Sequence, residues 1–153
     1  MSAPVMNTVI ASRNFVVDAS RERVWRLVGK VILSSLRGME EIEILDENNF
    51  RAILKVKISF LELRMRLMGE IVDMVPPESL AVNIFVEAPG GLFKMSQKVT
   101  LGMTSVERGK TAVACKAGTE RLGILFRWLL IPQARRFAQS VFETIEARLR
   151  DLA

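Results

Sequence analysis

The hydrophobic period changes twice along the chain. A first strand at Thr8–Val17 is followed by helical spacing, strict alternation begins after Gly38, and helical spacing returns over Leu122–Leu149. Alternation places successive side chains on opposite faces of a strand, whereas recurrence every three or four residues marks one face of a helix. The pattern therefore predicts a strand, helical segments, about six further strands and a long C-terminal helix.

Two short helices are predicted between the first strand and the alternating region. Ser20 is a residue type that caps helix N-termini, and Glu22 lies in the first turn, where the helix dipole favours an acid. Gly29 is expected to end the first helix. Gly38 is expected to end the second, which covers Lys30 to Leu36.

The inward positions of the alternating region change parity once. Apolar residues occupy even-numbered positions up to residue 58 and odd-numbered positions from residue 61. A strand cannot change face without a bulge or a turn, so a tight turn is expected at Ser59-Phe60. In this interpretation Ile42 lies opposite Leu54 on the neighbouring strand. Asp73 falls among the odd-numbered, inward-facing positions.

The later strands and the last helix complete an α+β fold. Turns at Pro89-Gly90-Gly91 and Glu107–Lys110 join strands into an antiparallel meander. The long helix carries an apolar stripe that must be buried, and the inner face of the sheet is available. Pro132 is expected to kink this helix. No linker divides the chain, so a single domain is expected over residues 1–153.

The composition excludes several kinds of catalytic and metal site. The 153 residues include no histidine and one cysteine, Cys115. Catalysis by Ser-His-Asp or Cys-His groups is therefore excluded, as are histidine-ligated metals and a four-cysteine zinc site. An enzyme would need an acid or base facing a cavity, for which Asp73 is the candidate. The sequence favours a binding protein over an enzyme and indicates no cofactor.

The charge and the chain start bear on partners and location. The net charge is +5 and the pI about 9.9, which favours acidic surfaces, but the basic residues are spread and indicate no nucleic acid partner. Met1–Ser12 lacks a basic region followed by an apolar block, and no apolar run reaches about 18 residues. We expect a cytoplasmic protein, with a peripheral membrane location as an alternative.

The opening of the chain resembles a known superfamily. The segment Phe15–Leu27 reads Phe-Val-Val-Asp-Ala-Ser-Arg-Glu-Arg-Val-Trp-Arg-Leu, which is similar to the start of START-like (SRPBCC, polyketide cyclase-like) domains. Within that superfamily the chain most resembles the CoxG family, that of the carbon monoxide dehydrogenase G subunit. The supporting features are Gly38-Met39-Glu40, Gly69, Thr111 after a glycine turn, and Gly123 before the long helix. Departures are Arg37, where the family usually has proline, and Cys115, where it often has a large aromatic.

The resemblance implies a helix-grip fold of the START-like or Bet v 1-like kind. Such a fold has a curved antiparallel sheet of six or seven strands around a long C-terminal helix, with two short helices after the first strand and an apolar cavity inside. The expected function is to bind a hydrophobic small molecule such as a lipid, quinone or polyketide, as a CoxG-like carrier or accessory protein. Two alternatives are a membrane-docking accessory subunit for a molybdenum hydroxylase-type enzyme and a cyclase- or dehydratase-like enzyme.

The candidate cavity residues are inward apolar positions and two glutamines. Methionine adapts to variable shapes, although filling of an ordinary core explains the same pattern. Gln97, strongly polar within its inward series, could orient a ligand, or its amide could be satisfied by backbone at a bulge. The candidates are Trp25, Leu54, Val56, Leu63, Met65, Leu67, Val82, Ile84, Phe93, Met95, Gln97, Val99, Val113, Cys115, Leu125, Leu129, Gln133 and Phe137.

Two further regions are candidates for membrane or partner contact. The segment Leu122–Ile131 is apolar nearly all round and contains Arg127 and Trp128, a pair that suits a membrane interface. A buried helix turn or a dimer contact explains the same segment. A basic outer sheet face is either solvated or docks on anionic lipid. Its expected members are Arg13, Lys55, Lys57, Arg64 and Arg66.

Overall fold

The computed structural model describes residues 8–35, 39–58, 60–91, 94–119 and 124–153, and gives backbone alone at residues 8, 33–35, 39–40, 56, 58 and 124–129. A tight turn at Pro89–Gly91 follows the fifth strand, with positive φ at Gly90 and Gly91 and a hydrogen bond from the N–H of Gly91 to the carbonyl of Ala88 at 3.1 Å. The elements in chain order are β1 (Thr8–Val17), α1 (Arg21–Ser35), β2 (Met39–Ile44), β3 (Asn49–Ile58), β4 (Leu61–Val75), β5 (Ser79–Glu87), β6 (Lys94–Glu107), β7 (Lys110–Thr119) and α2 (Ile124–Leu152).

The strands form one antiparallel sheet of seven in the order β1-β7-β6-β5-β4-β3-β2. Strands β2 to β7 follow one another as a meander, and β1 pairs with the last of them, so that β1 and β2 are the two edges. The predicted antiparallel sheet with a long C-terminal helix is confirmed. Short turns produce this order because antiparallel neighbours need only a tight connection.

The hairpin of β3 and β4 accounts for the parity change in the sequence. Ile58 lies opposite Leu61, and the same register places Leu54 opposite Met65. The connection between the paired ends is therefore two residues long, as predicted, although Ser59 lies outside the described residues. Even positions of β3 and odd positions of β4 share the inner face.

One helix follows β1 where two were predicted. The helix α1 runs through Gly29, and its buried stripe recurs at spacings of four and three residues. Glycine in a helix interior costs about 1 kcal/mol relative to alanine, less than the burial of even one aliphatic side chain contributes. The break predicted at Gly29 is therefore wrong, and the end predicted at Gly38 lies outside the described residues. The stripe is Val24, Val28 and Val31.

The start of α1 agrees with the capping prediction. The backbone N–H of Arg23 donates to Oγ of Ser20 at 3.2 Å, which satisfies one of the free N–H groups of the first turn. Glu22 lies in that turn, where its charge favours the positive end of the helix dipole.

The pairing of β2 with β3 differs from the predicted register. Met39, rather than Ile42, lies opposite Leu54, and the register shifts between Glu40 and Glu43. Glu41 lies at this bulge with a φ of 51°, a conformation uncommon for any residue other than glycine. An extra residue on one strand moves every later pair, so alternation alone could not give this register.

The helix α2 packs its small and large apolar residues against the inner face and against α1. Its buried residues recur every three or four positions, which is the stripe of an amphipathic helix. Pro132 lies inside the helix, and the kink expected there stays a prediction. Among the described side chains of α2, the buried ones are Leu130, Ala134, Ala138, Phe142, Ile145 and Leu149.

Polar contacts tie α2 to the edge strand β1. The register of β1 shifts between Val9 and Ala11, and the carbonyl of the intervening Ile10 accepts a hydrogen bond from Nε of Arg135 at 2.9 Å. Nε of Arg13 donates to Oε1 of Glu146, also at 2.9 Å. Arg13 therefore faces α2, and its predicted place on the outer face with the other basic residues is wrong.

The helical setting of Gly29 generates a stability prediction. Gly29 adopts helical backbone angles, and a Cβ added there meets nothing within 4 Å. We expect Gly29→Ala to raise the free energy of unfolding by about 0.5–1 kcal/mol, because alanine restricts the unfolded chain without strain. Urea denaturation monitored by circular dichroism measures this change.

A glycine of the opposite kind provides the control. Gly109 has a φ of 75° in the β6–β7 turn, so Gly109→Ala should lower the free energy of unfolding by about 1–2 kcal/mol. A loss of stability in Gly29→Ala would contradict a continuous α1.

Candidate functional site

A cavity of about 550 Å³ lies between the inner face of the sheet, α1 and α2. Its floor consists of three lateral rows of inner-face residues on β3 to β6, which the strand registers align. The first row contains Phe50, Ile84 and Gln97, the second Ile71, Val82 and Val99, and the third Met74, Leu80 and Leu101.

The two helices form the walls of the cavity. The helix α1 contributes half-buried Trp25 and the residues one turn after it. The helix α2 contributes residues that include Phe137 and Phe142. Aromatic side chains bury large areas and present flat faces to a guest molecule. The remaining wall residues are Val28, Gly29, Ile32, Ala138, Val141 and Ile145.

The charged lining residues lie at an exposed mouth. Arg26 of α1 stands on one side, and the β2–β3 turn, Asp46–Asn49, on the other. Asp46 accepts hydrogen bonds from the backbone N–H of Asn48 at 2.8 Å and from Nδ2 of Asn49 at 2.9 Å. These bonds, the first above all, lower the pKa of Asp46, so it is ionised at neutral pH. Charge in the described lining is therefore confined to the rim.

Gln97 is the polar residue of the cavity floor. Its side chain is 6% exposed, and its register partners are Ile84 on β5 and Thr119 on β7. The amide Nε2 lies 3.9 Å from Sδ of Met95. A thioether is a weak acceptor, so this contact leaves most of the hydrogen-bonding capacity of the amide for another group.

The predicted candidates divide according to their row on the sheet. Trp25, Val82, Ile84, Gln97, Val99 and Phe137 line the cavity. Met65, Leu67, Met95, Val113 and Cys115 are buried in the core instead, and Leu54, Leu63 and Gln133 are partly buried without lining it. Phe93 and the side chains of Val56, Leu125, Arg127, Trp128 and Leu129 lie outside the described residues.

The core methionines show why alternation was insufficient. Met65 and Met95 have the correct parity, but their rows lie nearer the β3–β4 hairpin, where the inner face is packed. The period of two identifies a face but carries no information on whether that face is filled. Val28 and Ile32 also line the cavity but were not among the predicted residues. Their position one and two helical turns after Val24 was the signal in the sequence that could have identified them.

A bulge removes Asp73 from the inner face. The register of β4 shifts between Ile71 and Asp73, after which Asp73 lies opposite Ala81 and is exposed. Met74 takes the inward position and lines the cavity. The extra residue reverses the phase of the strand end, so the inward placement of Asp73 is wrong. The carboxylate considered for acid–base catalysis does not face the cavity.

Cys115 lies in the core as an unreactive thiol. It is fully buried on β7, opposite Leu101 and Arg13. Burial is the main cause that raises the pKa of this thiol to about 12, and the nearby Arg13 only partly offsets it. The nucleophilic form of cysteine is the thiolate, so Cys115 is not a candidate nucleophile at neutral pH.

Neither a metal cluster nor a membrane-spanning helix is present among the described residues. No group of three or more His, Cys, Asp or Glu side chains there could hold a metal ion. Within the same part of the chain, none of the helices has the length and apolarity needed to cross a bilayer.

The curved sheet, the long helix across it and the apolar cavity between them define a START-like helix-grip domain. Residues 14–150 match the family model of the carbon monoxide dehydrogenase G subunit (CoxG), so the chain belongs to that family. The predicted resemblance is confirmed. No curated protein sequence matches the chain significantly.

Solved structures with low sequence identity share the fold. A conserved protein from Geobacillus kaustophilus has a TM-score of 0.69 at 16% identity, covering 90% of this chain and 93% of its own. A START superfamily protein from Mycobacterium smegmatis has a TM-score of 0.55 at 15% identity, covering 94% and 98%. The Zhui aromatase/cyclase from Streptomyces sp. R1128 has a TM-score of 0.51 at 17% identity, covering 93% and 88%.

The raised pKa of Cys115 generates a prediction on pH. In the folded state the thiol holds its proton up to about pH 12, against an ordinary value of 9.0. The neutral thiol therefore contributes its full stability below pH 9, and this contribution falls as pH rises toward 12. At pH 8 we expect Ellman's reagent to react about a thousandfold more slowly with the folded protein than with the urea-unfolded protein.

The variant Cys115→Ala is the control for this measurement. It should give no thiol signal and should lose the part of the pH dependence of stability that the thiol causes. Equal labelling rates in the folded and unfolded states would contradict the burial of Cys115.

Proposed function

We propose that the protein binds an uncharged hydrophobic small molecule in the cavity between the sheet and the two helices. The observation that carries this proposal is the lining itself, apolar throughout its described interior except for Gln97. The volume of about 550 Å³ falls within the range of ligand pockets, which commonly measure about 300–1,000 Å³. Binding would draw on burial of apolar ligand surface, at roughly 25 cal/mol per Å².

The charge distribution supports a neutral ligand. A carboxylate or ammonium group inside would lose its hydration without gaining a partner of opposite charge, which is strongly unfavourable. At the mouth, Asp46 and Glu47 would repel an anionic head group, and Arg26 offers one opposing charge. The chemistry of Gln97 suits one carbonyl or hydroxyl group on an otherwise apolar body. Neutral lipids, quinones and polyketides meet this description.

The alternatives have less support from the described residues. A cyclase- or dehydratase-like activity, which the aromatase/cyclase neighbour suggests, would need an acid or base in the cavity, and Asp73 faces away from it. Docking on a membrane as an accessory subunit for a molybdenum hydroxylase-type enzyme stays a prediction. Its proposed contacts, Arg127 and Trp128, have side chains outside the described part of the chain.

Native mass spectrometry followed by organic extraction tests the proposal. We expect the purified protein to carry, or to take up from a mixture of neutral lipids and quinones, one hydrophobic molecule per chain. Extraction and identification then give the chemical class. An apo mass that persists in the presence of neutral hydrophobes would contradict the proposal and would direct attention to the outer surface.

The role of Gln97 is tested by Gln97→Leu. We expect the affinity for ligands with a carbonyl or hydroxyl to fall about five- to tenfold, because a typical hydrogen bond contributes about 1 kcal/mol. Affinity for a hydrocarbon of similar size should not fall, since leucine adds apolar contact. Isothermal titration calorimetry measures both ligand types.

The matched control for this substitution is Gln139→Leu on the exposed side of α2. It should leave both affinities unchanged. Equal losses for oxygenated and hydrocarbon ligands in Gln97→Leu would show that the amide has no orienting role.

A further inference from the structure

We infer that Phe50 and Gly69 together set how far the enclosed part of the cavity extends from Gln97, and that this pair determines the size of ligand the protein accepts. The inference rests on the proposed function, because it concerns the same cavity. It adds a specificity-determining pair, one member of which does not itself line the cavity.

The pair lies in the same lateral row as Gln97. The strand registers place Phe50 opposite Gly69, Gly69 opposite Ile84, and Ile84 opposite Gln97. Adjacent strands lie about 4.8 Å apart, so Gly69 and Gln97 are separated by roughly 10 Å across the sheet. A ligand hydrogen-bonded to Gln97 and lying along this row would reach the ring of Phe50 after crossing Ile84.

Close approach of the Phe50 ring explains why residue 69 is glycine. A Cβ built at Gly69 collides with three ring atoms of Phe50, namely Cε1, Cζ and Cδ1. The φ angle of Gly69 lies outside the left-handed region, so its backbone conformation does not require glycine. Glycine inside a strand commonly marks a site where another group approaches the backbone closely. At this position the approaching group is the aromatic ring.

The position of the ring gives it a boundary function. Beyond Phe50 in the same row lies Ile44 on the edge strand β2, which is 60% exposed and lines the cavity near its mouth. The ring therefore stands in the cavity floor, between the enclosed part around Gln97 and the mouth at the edge of the sheet. The ring occupies the space over residue 69 that a side chain there would fill. With glycine at this position, the ring can lie against β4 and does not narrow the cavity. Any side chain at Gly69 would displace the ring, and because Phe50 lines the cavity, moving its ring would change the shape of the floor.

The test is a double-mutant cycle with neutral probes of increasing length. The variants are Gly69→Ala, Phe50→Leu and the two combined. N-phenyl-1-naphthylamine serves as the fluorescent probe, and methyl ketones from 2-octanone to 2-octadecanone compete for its site. Urea denaturation of the same proteins provides a readout that needs no ligand.

We expect Gly69→Ala to lower the affinity for the longest ketones that wild type binds, by about tenfold, and to change the affinity for the shortest ones little. The reason is that overpacking affects the part of the cavity nearest the ring. Phe50→Leu alone should extend binding to longer ketones. In the double variant, affinity for the long ketones should return to within about twofold of Phe50→Leu alone, because the colliding ring atoms are gone. Urea denaturation should likewise show that Gly69→Ala destabilises the wild-type background more than the Phe50→Leu background.

The control is Gly102→Ala, the same substitution in β6 where an added Cβ meets nothing within 4 Å. It should leave the ketone series unchanged. If the effects of Gly69→Ala and Phe50→Leu on ketone affinity were additive and all variants preferred the same ketones, the inference would be overturned. Binding of the ketones by wild type would still support the proposed function. If wild type bound none of the neutral probes, the proposed function would fail and the inference would fail with it.

Discussion

The architecture depends on a mismatch of width between one helix and the sheet it covers. Seven strands spaced about 4.8 Å apart present a face roughly 30 Å across, whereas a helix with its side chains is about 10–12 Å wide. The helix α2 lies against β1 and α1, on one side of that face. The curvature of the sheet and α1 close part of the remainder, and the floor of β3 to β6 near the β2–β3 turn stays open. The cavity is the space that the packing of these elements leaves unfilled.

Bulges and single polar contacts position the elements around that space. At the bulge in β1, Ile10 enters the core and its carbonyl, outside the regular ladder, receives the hydrogen bond from Arg135 of α2. The bulge in β4 directs Met74 rather than Asp73 toward the cavity. In both places one additional residue changes which side chains face inward, so the chemistry of the interior depends on it. The ion pair of Arg13 with Glu146 adds orientation between β1 and α2 near a half-exposed edge, where such pairs contribute little net stability.

Charge is placed around the cavity rather than inside it. Three basic residues of the outer face pair with acidic residues, namely Arg51 with Glu43, Lys55 with Glu62 and Arg64 with Glu41. The ionised Asp46 lies at the mouth, and Gln97 is the polar side chain of the floor. In the proposed function, such an interior would discriminate between ligands by size and by a single hydrogen bond, because an apolar wall distinguishes poorly between guests of equal volume. Residues 14–150 match the CoxG family model, and the low-identity structural neighbours share the fold.

Alternation, turn residues and the helical stripe were enough to predict the seven strands, the parity change at the β3–β4 hairpin and the long C-terminal helix, because these depend on neighbours in the sequence. The same local rules placed Val82, Ile84, Gln97 and Val99 on the inner face. They misplaced Asp73 and the Ile42–Leu54 pair, since a bulge has no reliable signature in alternation. They also divided α1 at Gly29. The cost of glycine in a helix can be read from the sequence, whereas the burial of Val28 and Val31 cannot. Whether an inward residue packs in the core, as Met65 does, or lines the cavity, as Val82 does, was decided by the tertiary structure alone, because it depends on where the helices cross the sheet and not on the pattern of any one strand.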